Sequence, residues 1–472
     1  MRTFLCLALG VMPIIGHAQS QDPVPAPQPQ AGDPLLHDLI QQALDHNPDL
    51  ARARTEVDAD RERVPQAKAL PDPMLGLGLL NEGFKGIQVG KSPMAQYQLM
   101  VTQPLPWPGK RGLRGEIAGV GVDLAQVAST RTRLTLEADV RRAYDGLLLV
   151  RGQLGLLDRQ EGFLRQALAI TRTRYEVGQG AQADLLRAQL ELIRLDQTRL
   201  AMRAAEQTDL ALLNRLCGRT EDTPIPTTAV FEDLALPPEP PVAEWLAQAE
   251  AGSPELQAAR LGIRQADLNL RLAKRDRYPD LAVSAGLMPR GGLDPMWSVG
   301  VSISLPLWSK HKQQRAVSEQ EWRRKAQGSE VESVRNLLVQ RTRERAAQLE
   351  SVLASLRIYR EGLLVQSEAS FQATLAQYET GRVPFLSVLE TLNGWLADRS
   401  GLLQSLAQAE ALRIAQAEFN LGGTPPITSP SLGAGSLAMG GGAGSGMAPS
   451  APMKSNAMQG AANGDGASPS SM

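Results

Sequence analysis

Two hydrophobic periods alternate along this chain. From Pro34 to about Lys68, the residues Leu35, Leu36, Leu39, Ile40, Ala43 and Leu44 fall at helical spacing, and Pro65 is expected to disturb the end of that helix. The period then drops to two. Leu75, Leu77 and Leu79 alternate with Gly76 and Gly78, and Tyr97, Leu99 and Val101 alternate with Gln96, Gln98, Met100 and Thr102. Later, Leu281, Val283, Ala285 and Leu287 alternate with Ala282, Ser284, Gly286 and Met288. Trp297, Val299, Val301, Ile303 and Leu305 alternate with Ser298, Gly300, Ser302 and Ser304. One apolar face and one small or polar face mark a strand that meets a different solvent on each side. Strands are therefore predicted at about 74–82, 95–105, 280–289 and 296–306. Segments of this kind are the signature of outer-membrane barrel strands, although any one alone could equally be a soluble hairpin packed on a helix.

Between the strand pairs the chain is helical. No proline occurs between Pro108 and Pro224, or between Pro306 and Pro384, in a chain that holds 32 of them. Leu, Ala, Arg, Glu and Gln dominate 111–176, with Leu147, Val150, Leu154 and Leu157 three or four apart. A helix of about 65 residues is roughly 100 Å long. It is expected to break at Val177-Gly178-Gln179-Gly180 and return over Ala181 to Leu216, with Gly218 as its C-cap. A second long helix is expected from about Ser309 to Thr380, turning at Gly381-Arg382-Val383-Pro384 and returning to about Leu421. Such lengths require coiled-coil packing.

The order repeats because the chain is written twice. Asn47-Pro48-Asp49-Leu50 returns as Ser253-Pro254-Glu255-Leu256, and Pro71-Asp72 returns as Pro279-Asp280. Pro104-Leu105-Pro106-Trp107 returns as Pro306-Leu307-Trp308, and Tyr175-Glu176-Val177-Gly178 as Tyr378-Glu379-Thr380-Gly381. The offsets of about 202 to 208 residues mean two copies of one long unit, 35–218 and 242–421, joined by a proline-rich connector at 219–241.

The flanks differ in kind. Arg2, an apolar stretch from Phe4 to Ile15 and Gly16-His17-Ala18 read as a signal peptide over 1–18, and 19–34 as an extended proline-rich tether. Beyond Gly422 the composition falls to Gly, Ala, Ser, Pro and Met, so 422–472 is expected to be a disordered tail. The formal net charge of -1 offers no basic excess for nucleic acid. Removal of the signal leaves Cys217 as the one cysteine, which suits an envelope protein without disulfides.

Four strands cannot close a membrane barrel, and an open sheet would leave unpaired edges that lipid does not tolerate. The chain must therefore oligomerise: two copies give eight strands and a filled lumen, and three give twelve and a passage. Hairpins some 100 Å long must leave the membrane as a bundle. A barrel continued by a helical tube is a conduit.

At this point the residues carry a resemblance. The chain, from Leu35 to Gly422, resembles the TolC family of outer-membrane efflux ducts, through its two strand-exit motifs and the two turn motifs at Tyr175 and Tyr378. Ala69-Leu70-Pro71-Asp72-Pro73-Met74, with Gln103-Pro104-Leu105-Pro106-Trp107-Pro108-Gly109-Lys110-Arg111, resembles the heavy-metal branch (CzcC- and CusC-like) more than the drug-efflux branch. The resemblance implies an α+β membrane protein: a homotrimer with a twelve-stranded β-barrel in outer-membrane lipid, continued by a periplasmic α-helical tunnel closed at its tip. It also implies docking to a periplasmic adaptor and an inner-membrane pump of the RND type. The turn residues Val177, Gly178, Gln179, Thr380, Gly381 and Arg382 would face the adaptor. In the family, acidic residues six and nine positions after each turn glycine narrow the tip; here those positions are Asp184, Arg187, Ser387 and Glu390. Only two of the four are acidic, so the family's gate electrostatics do not transfer whole, and Asp184 and Glu390 could equally serve the dipoles of their own helices.

No catalytic arrangement competes with this reading. Gly90-Lys91-Ser92 lacks the first glycine of a phosphate loop, since Lys85 stands in its place, and is expected in an external loop. Gly109, Gly112 and Gly115 follow no dinucleotide pattern and are expected to let helix starts approach closely. His37, His46 and His311 are scattered, so no metal site, cofactor or enzymatic activity is expected. Methionine is the remaining curiosity: Met74, Met94, Met100, Met288 and Met296 lie in or near strands, and Met439, Met447, Met453, Met458 and Met472 in the tail. They are either soft ligands or fillers of space. The leading function is a passive exit duct, with heavy-metal ions such as copper and silver, or cobalt, zinc and cadmium, as cargo. A duct for drugs or type I secretion is the alternative; a soluble periplasmic coiled-coil scaffold is the alternative of another class. An envelope hydrolase would need a catalytic set the sequence does not offer.

Overall fold

A computed structural model describes residues 33–428 except 85, 228, 230 and 232–240. The expected signal peptide, all but the last two residues of the tether, most of the connector's second half and the tail beyond 428 lie outside the described residues. The first copy runs α1 (Pro34–His46), α2 (Pro48–Lys68), β1 (Met74–Leu80), β2 (Gln96–Leu105), α3 (Lys110–Glu176) and α4 (Gln182–Leu216). The second runs α5 (Val242–Gly252), α6 (Pro254–Arg275), β3 (Leu281–Arg290), β4 (Leu293–Ile303), α7 (Gln313–Ile358), a π turn (Tyr359–Leu363), α8 (Leu364–Glu379) and α9 (Phe385–Ala417).

The first repeated landmark corrects the expectation of one helix over 34–68. Asn47 ends α1 in an extended conformation and caps α2: its Oδ1 accepts from the Asp49 and Leu50 N–H groups at 2.9 and 3.2 Å, with Pro48 at the first helical position. Ser253 does the same between α5 and α6, its Oγ accepting from Leu256 N–H at 3.3 Å ahead of Pro254. Asn47 also donates through Nδ2 to Leu216 O at 3.1 Å, tying the break to the end of α4. Pro65 does not stop α2, which continues to Lys68. It falls in the last turns on an exposed face, where the carbonyl that loses its intrahelical partner is open to solvent.

The long hairpins form as expected, with three differences, one being that the last helix ends at Ala417 and not near Leu421. The second long helix starts at Gln313 rather than Ser309, and it contains the π turn at Tyr359–Leu363. There the bare Cα of Gly401 on α9 faces the Tyr359 hydroxyl, which a Cβ would meet at 2.5 Å. A π turn of this kind admits an extra residue without breaking the helix. The hairpins share one core, and within it Phe163, Phe371 and Trp395 from α3, α8 and α9 lie with centroids 4.8 to 6.4 Å apart.

The strands form one antiparallel sheet in the order β1-β2-β3-β4. β4 begins at Leu293, earlier than expected, because Gly291-Gly292 closes a tight hairpin with Gly291 at φ +68°. β1 and β4 end sooner than expected, at Leu80 and Ile303. Gly90-Lys91-Ser92 sits in the β1–β2 connection, as anticipated. Gly90 packs there against Gly291, so a Cβ on Gly291 would stand 2.8 Å from Gly90 Cα.

Candidate functional site

Two regions carry the functional geometry: the faces of the sheet and the ends of the hairpins. Register sorts the sheet residues. Leu75 pairs with Val101, Leu77 with Leu99 and Leu79 with Tyr97. Leu99 pairs with Leu287 and Val101 with Ala285. Val283 pairs with Val301, Ala285 with Val299 and Leu287 with Trp297. One face is therefore apolar across all strands, and it is exposed: Leu77 at 79%, Trp297 at 75%, and Val299 and Val301 near two thirds. The opposite face carries Gly76, Gly78, Gln98, Thr102, Ser284, Gly286, Ser298, Gly300 and Ser302. Such an exposed apolar sheet face needs a cover.

Where strands and helices meet, the strand-exit motif of the first copy binds the Pro279-Asp280 motif that leads into β3 of the second. Lys110 is buried at the start of α3, and its Nζ donates to Asp280 Oδ1 at 2.9 Å and to Tyr278 O at 3.1 Å. Asp280 Oδ1 also accepts from Trp107 N–H at 2.7 Å, and Trp107 stacks on Tyr278 at 5.4 Å. Partial burial works against the Asp280 charge, yet the Trp107 N–H and the Lys110 ammonium hold its carboxyl below the usual range. The sequence exposed both motifs as repeats but gave no sign that they meet. Of the three glycines expected near helix starts, Gly109 caps α3 at φ +93° against Arg275, and Gly115 is buried against Lys68.

At the other end both hairpins reverse through the same backbone device. Gly178 and Gly381 adopt φ +75° and +72°. Gln179 N–H donates to Arg174 O and Gly178 N–H to Tyr175 O; Arg382 N–H donates to Gln377 O and Gly381 N–H to Tyr378 O. These are Schellman closures, which satisfy the last carbonyls of each helix. Val177, Gly178, Gln179, Thr380, Gly381 and Arg382 are all exposed. The two turns lie side by side. Arg174 Nη1 donates to Tyr378 O at 2.6 Å, Nη2 to Gln179 O at 3.4 Å, and the guanidinium sits 5.2 Å from the Tyr378 ring centre. Thr171 Oγ1 and the Tyr378 hydroxyl are 2.6 Å apart. Sequence reasoning missed Arg174 and Thr171, whose only signal was their place one turn or less before Tyr175.

The four tip positions are not alike. Asp184 lies in the first turn of α4 and pairs with Arg187 at 3.7 Å. Ser387 is half-buried in the first turn of α9, and Glu390 is exposed one turn further on. The dipole account thus fits Asp184 and not Glu390. Asp184 also bears on Tyr378, whose hydroxyl pKa is pushed up by burial and by that carboxylate.

Further along the bundle, charge is buried. Burial pushes Asp145 of α3 well above the usual carboxylate range, helped by Glu410 of α9, which burial raises in turn. Asp209 of α4, beside the bare Cα of Gly146, is pushed up to about 6 by burial. Among the described residues no group of His, Cys, Asp and Glu could hold a metal ion, and no helix is long and apolar enough to cross a membrane.

A profile of the outer membrane efflux protein family matches residues 39–219 and 245–418, one stretch for each copy. The chain belongs to this family. It is 24% identical over 401 residues to the cobalt-zinc-cadmium resistance protein CzcC of Cupriavidus metallidurans, covering 82% of this chain and 92% of that one. It is 23% identical over 379 residues to the outer membrane protein TolC of Escherichia coli, covering 75% and 76%. Among solved structures it matches the outer-membrane channel OprN (TM-score 0.68, 18% identity, 82% and 90% covered) and CusC (TM-score 0.66, 17% identity, 83% and 92% covered). Family membership makes the chain an outer-membrane efflux component, and the fold is that of these channels.

Proposed function

We propose that three copies close their sheets into a twelve-stranded barrel in the outer membrane of a Gram-negative bacterium, continued into the periplasm by a tunnel of the α3–α4 and α7–α9 hairpins. In this reading 1–18 direct export of the chain. The observation that supports it is the register of the sheet, which gathers a continuous apolar face suited to lipid and an opposite, small and polar face suited to a lumen. The assembly is a passive exit duct and does no chemistry of its own. Its tip, with Val177, Gly178, Gln179, Thr380, Gly381 and Arg382, docks a periplasmic adaptor that joins it to an inner-membrane RND pump. Asp184, Arg187, Ser387 and Glu390 line the narrowest part of that tip.

Heavy-metal ions are the proposed cargo, because CzcC, named for cobalt, zinc and cadmium resistance, aligns over nearly its whole length. The similarity to TolC favours a second reading, a duct for drugs or secreted protein. Deleting the gene and measuring cell-associated copper, silver, cobalt, zinc and cadmium separates the two. Raised metal content, restored by the full chain, is expected. Unchanged metal content with raised drug accumulation would select the second reading.

A further inference from the structure

We propose that Met74, Met100, Met288 and Met296 form a transit site for soft monovalent cations, Cu(I) or Ag(I), on the polar face of the sheet. The inference rests on the reading above that this face lines the passage.

Register places all four methionines on the same face. Met74 pairs with Thr102, Met100 with both Gly76 and Gly286, and Met288 with Met296. Met74, Met100 and Met288 descend the sheet as a diagonal, in steps that long side chains span across neighbouring strands, and Met296 stands directly opposite Met288. Met100 stands between two glycines, so neither residue paired with it has a side chain of its own beside it. Met288 leans into that gap, with Cε 3.7 Å from where a Cβ on Gly286 would sit.

These are not fillers of space. Met202 shows what a filler looks like here, fully buried in the bundle, whereas Met74, Met100 and Met296 are 60%, 37% and 47% exposed. The other paired side chains of the face are glycine, alanine, serine, threonine, glutamine, leucine and proline, with Arg290 beyond the bulge at its far end and no paired carboxylate, imidazole or thiolate. A hard or borderline divalent ion meets no strong ligand on it. Thioethers are soft donors that suit Cu(I) and Ag(I). Neutral donors bind without trapping, which a conduit requires.

The test titrates Ag(I) nitrate, in chloride-free buffer, into the full-length protein in detergent and compares it with Met100→Leu/Met288→Leu/Met296→Leu. Leucine nearly conserves volume, so the fold tolerates the change. The tail methionines are common to both proteins, so the difference reports the sheet alone. The variant is expected to bind Ag(I) about tenfold more weakly or not at all, with Zn(II) binding unchanged. Identical Ag(I) titrations would overturn the site. A parallel measurement, quenching of Trp297 fluorescence by brominated lipid tails with Trp297→Phe as blank, reports the opposite face. Quenching with identical titrations removes the metal site alone; absent quenching removes the assignment of the faces, and the site with it.

Discussion

At the scale of single residues, the tip is decided by Gly178, Gly381 and Arg174. Gly178 has open space around it, while a Cβ on Gly381 would stand 3.0 Å from Arg174 Nη2. Gly178→Asp therefore adds only the cost of a left-handed side-chain residue, about 1 kcal/mol, and changes the charge of an exposed surface. The expected outcome is normal membrane insertion and oligomer yield, with loss of crosslinking to the adaptor; retained crosslinking would contradict docking at this turn. Arg174→Ala should loosen the second turn instead, seen as faster proteolysis at Thr380–Pro384. Asp209 carries a pH prediction. Its folded carboxyl titrates near 6, above the unfolded value near 4, so the folded state binds the extra proton between them. Stability should thus fall as pH rises from about 4 to about 6, by about 1–2 kcal/mol after allowance for part exposure, and Asp209→Asn should flatten that slope in thermal melts.

At the scale of elements, alternation in the strands is the testable quantity. Val301→Arg should cost about 2–4 kcal/mol in denaturant titrations of the protein in lipid, if its side chain sits near the bilayer midplane. Ser302→Arg, on the other face, should cost much less, and equal losses would mean that neither face is lipid-facing. The strands and long helices were legible because each carries one uninterrupted period. The breaks were harder. Asn47-Pro48 and Ser253-Pro254 stood out as repeated landmarks, yet periodicity flows straight through them, because a cap changes the backbone at one residue without changing the apolar stripe. The π turn was invisible for the opposite reason: it lies where Tyr359 meets Gly401, a contact between residues about 40 positions apart. The candidate tip was legible as two glycine turns. That Arg174 bridges them was not, since nothing in a sequence says that two turns 203 residues apart are neighbours.

At the scale of the whole molecule, the unclosed sheet sets the prediction. In detergent the mature protein should be a trimer by sedimentation, with helix dominating its circular dichroism; a stable monomer would leave sheet edges bare and would defeat the barrel. The bridge between Lys110 and Asp280 ties the start of α3 in the first copy to the entry of β3 in the second. Asp280→Asn should therefore lower oligomer yield without altering the tip, as checked by the same adaptor crosslinking.

The clasp at the tip has one more consequence. Duplication should have made the two turns interchangeable, and their backbones are, but the position that matches Arg174 in the second copy is Gln377. Gln377 is exposed, and it is the arginine of the first copy that reaches across to the second. The pair is thus directional, one turn the holder and the other the held. A repeated chain has in this way acquired a handed face at its two turns.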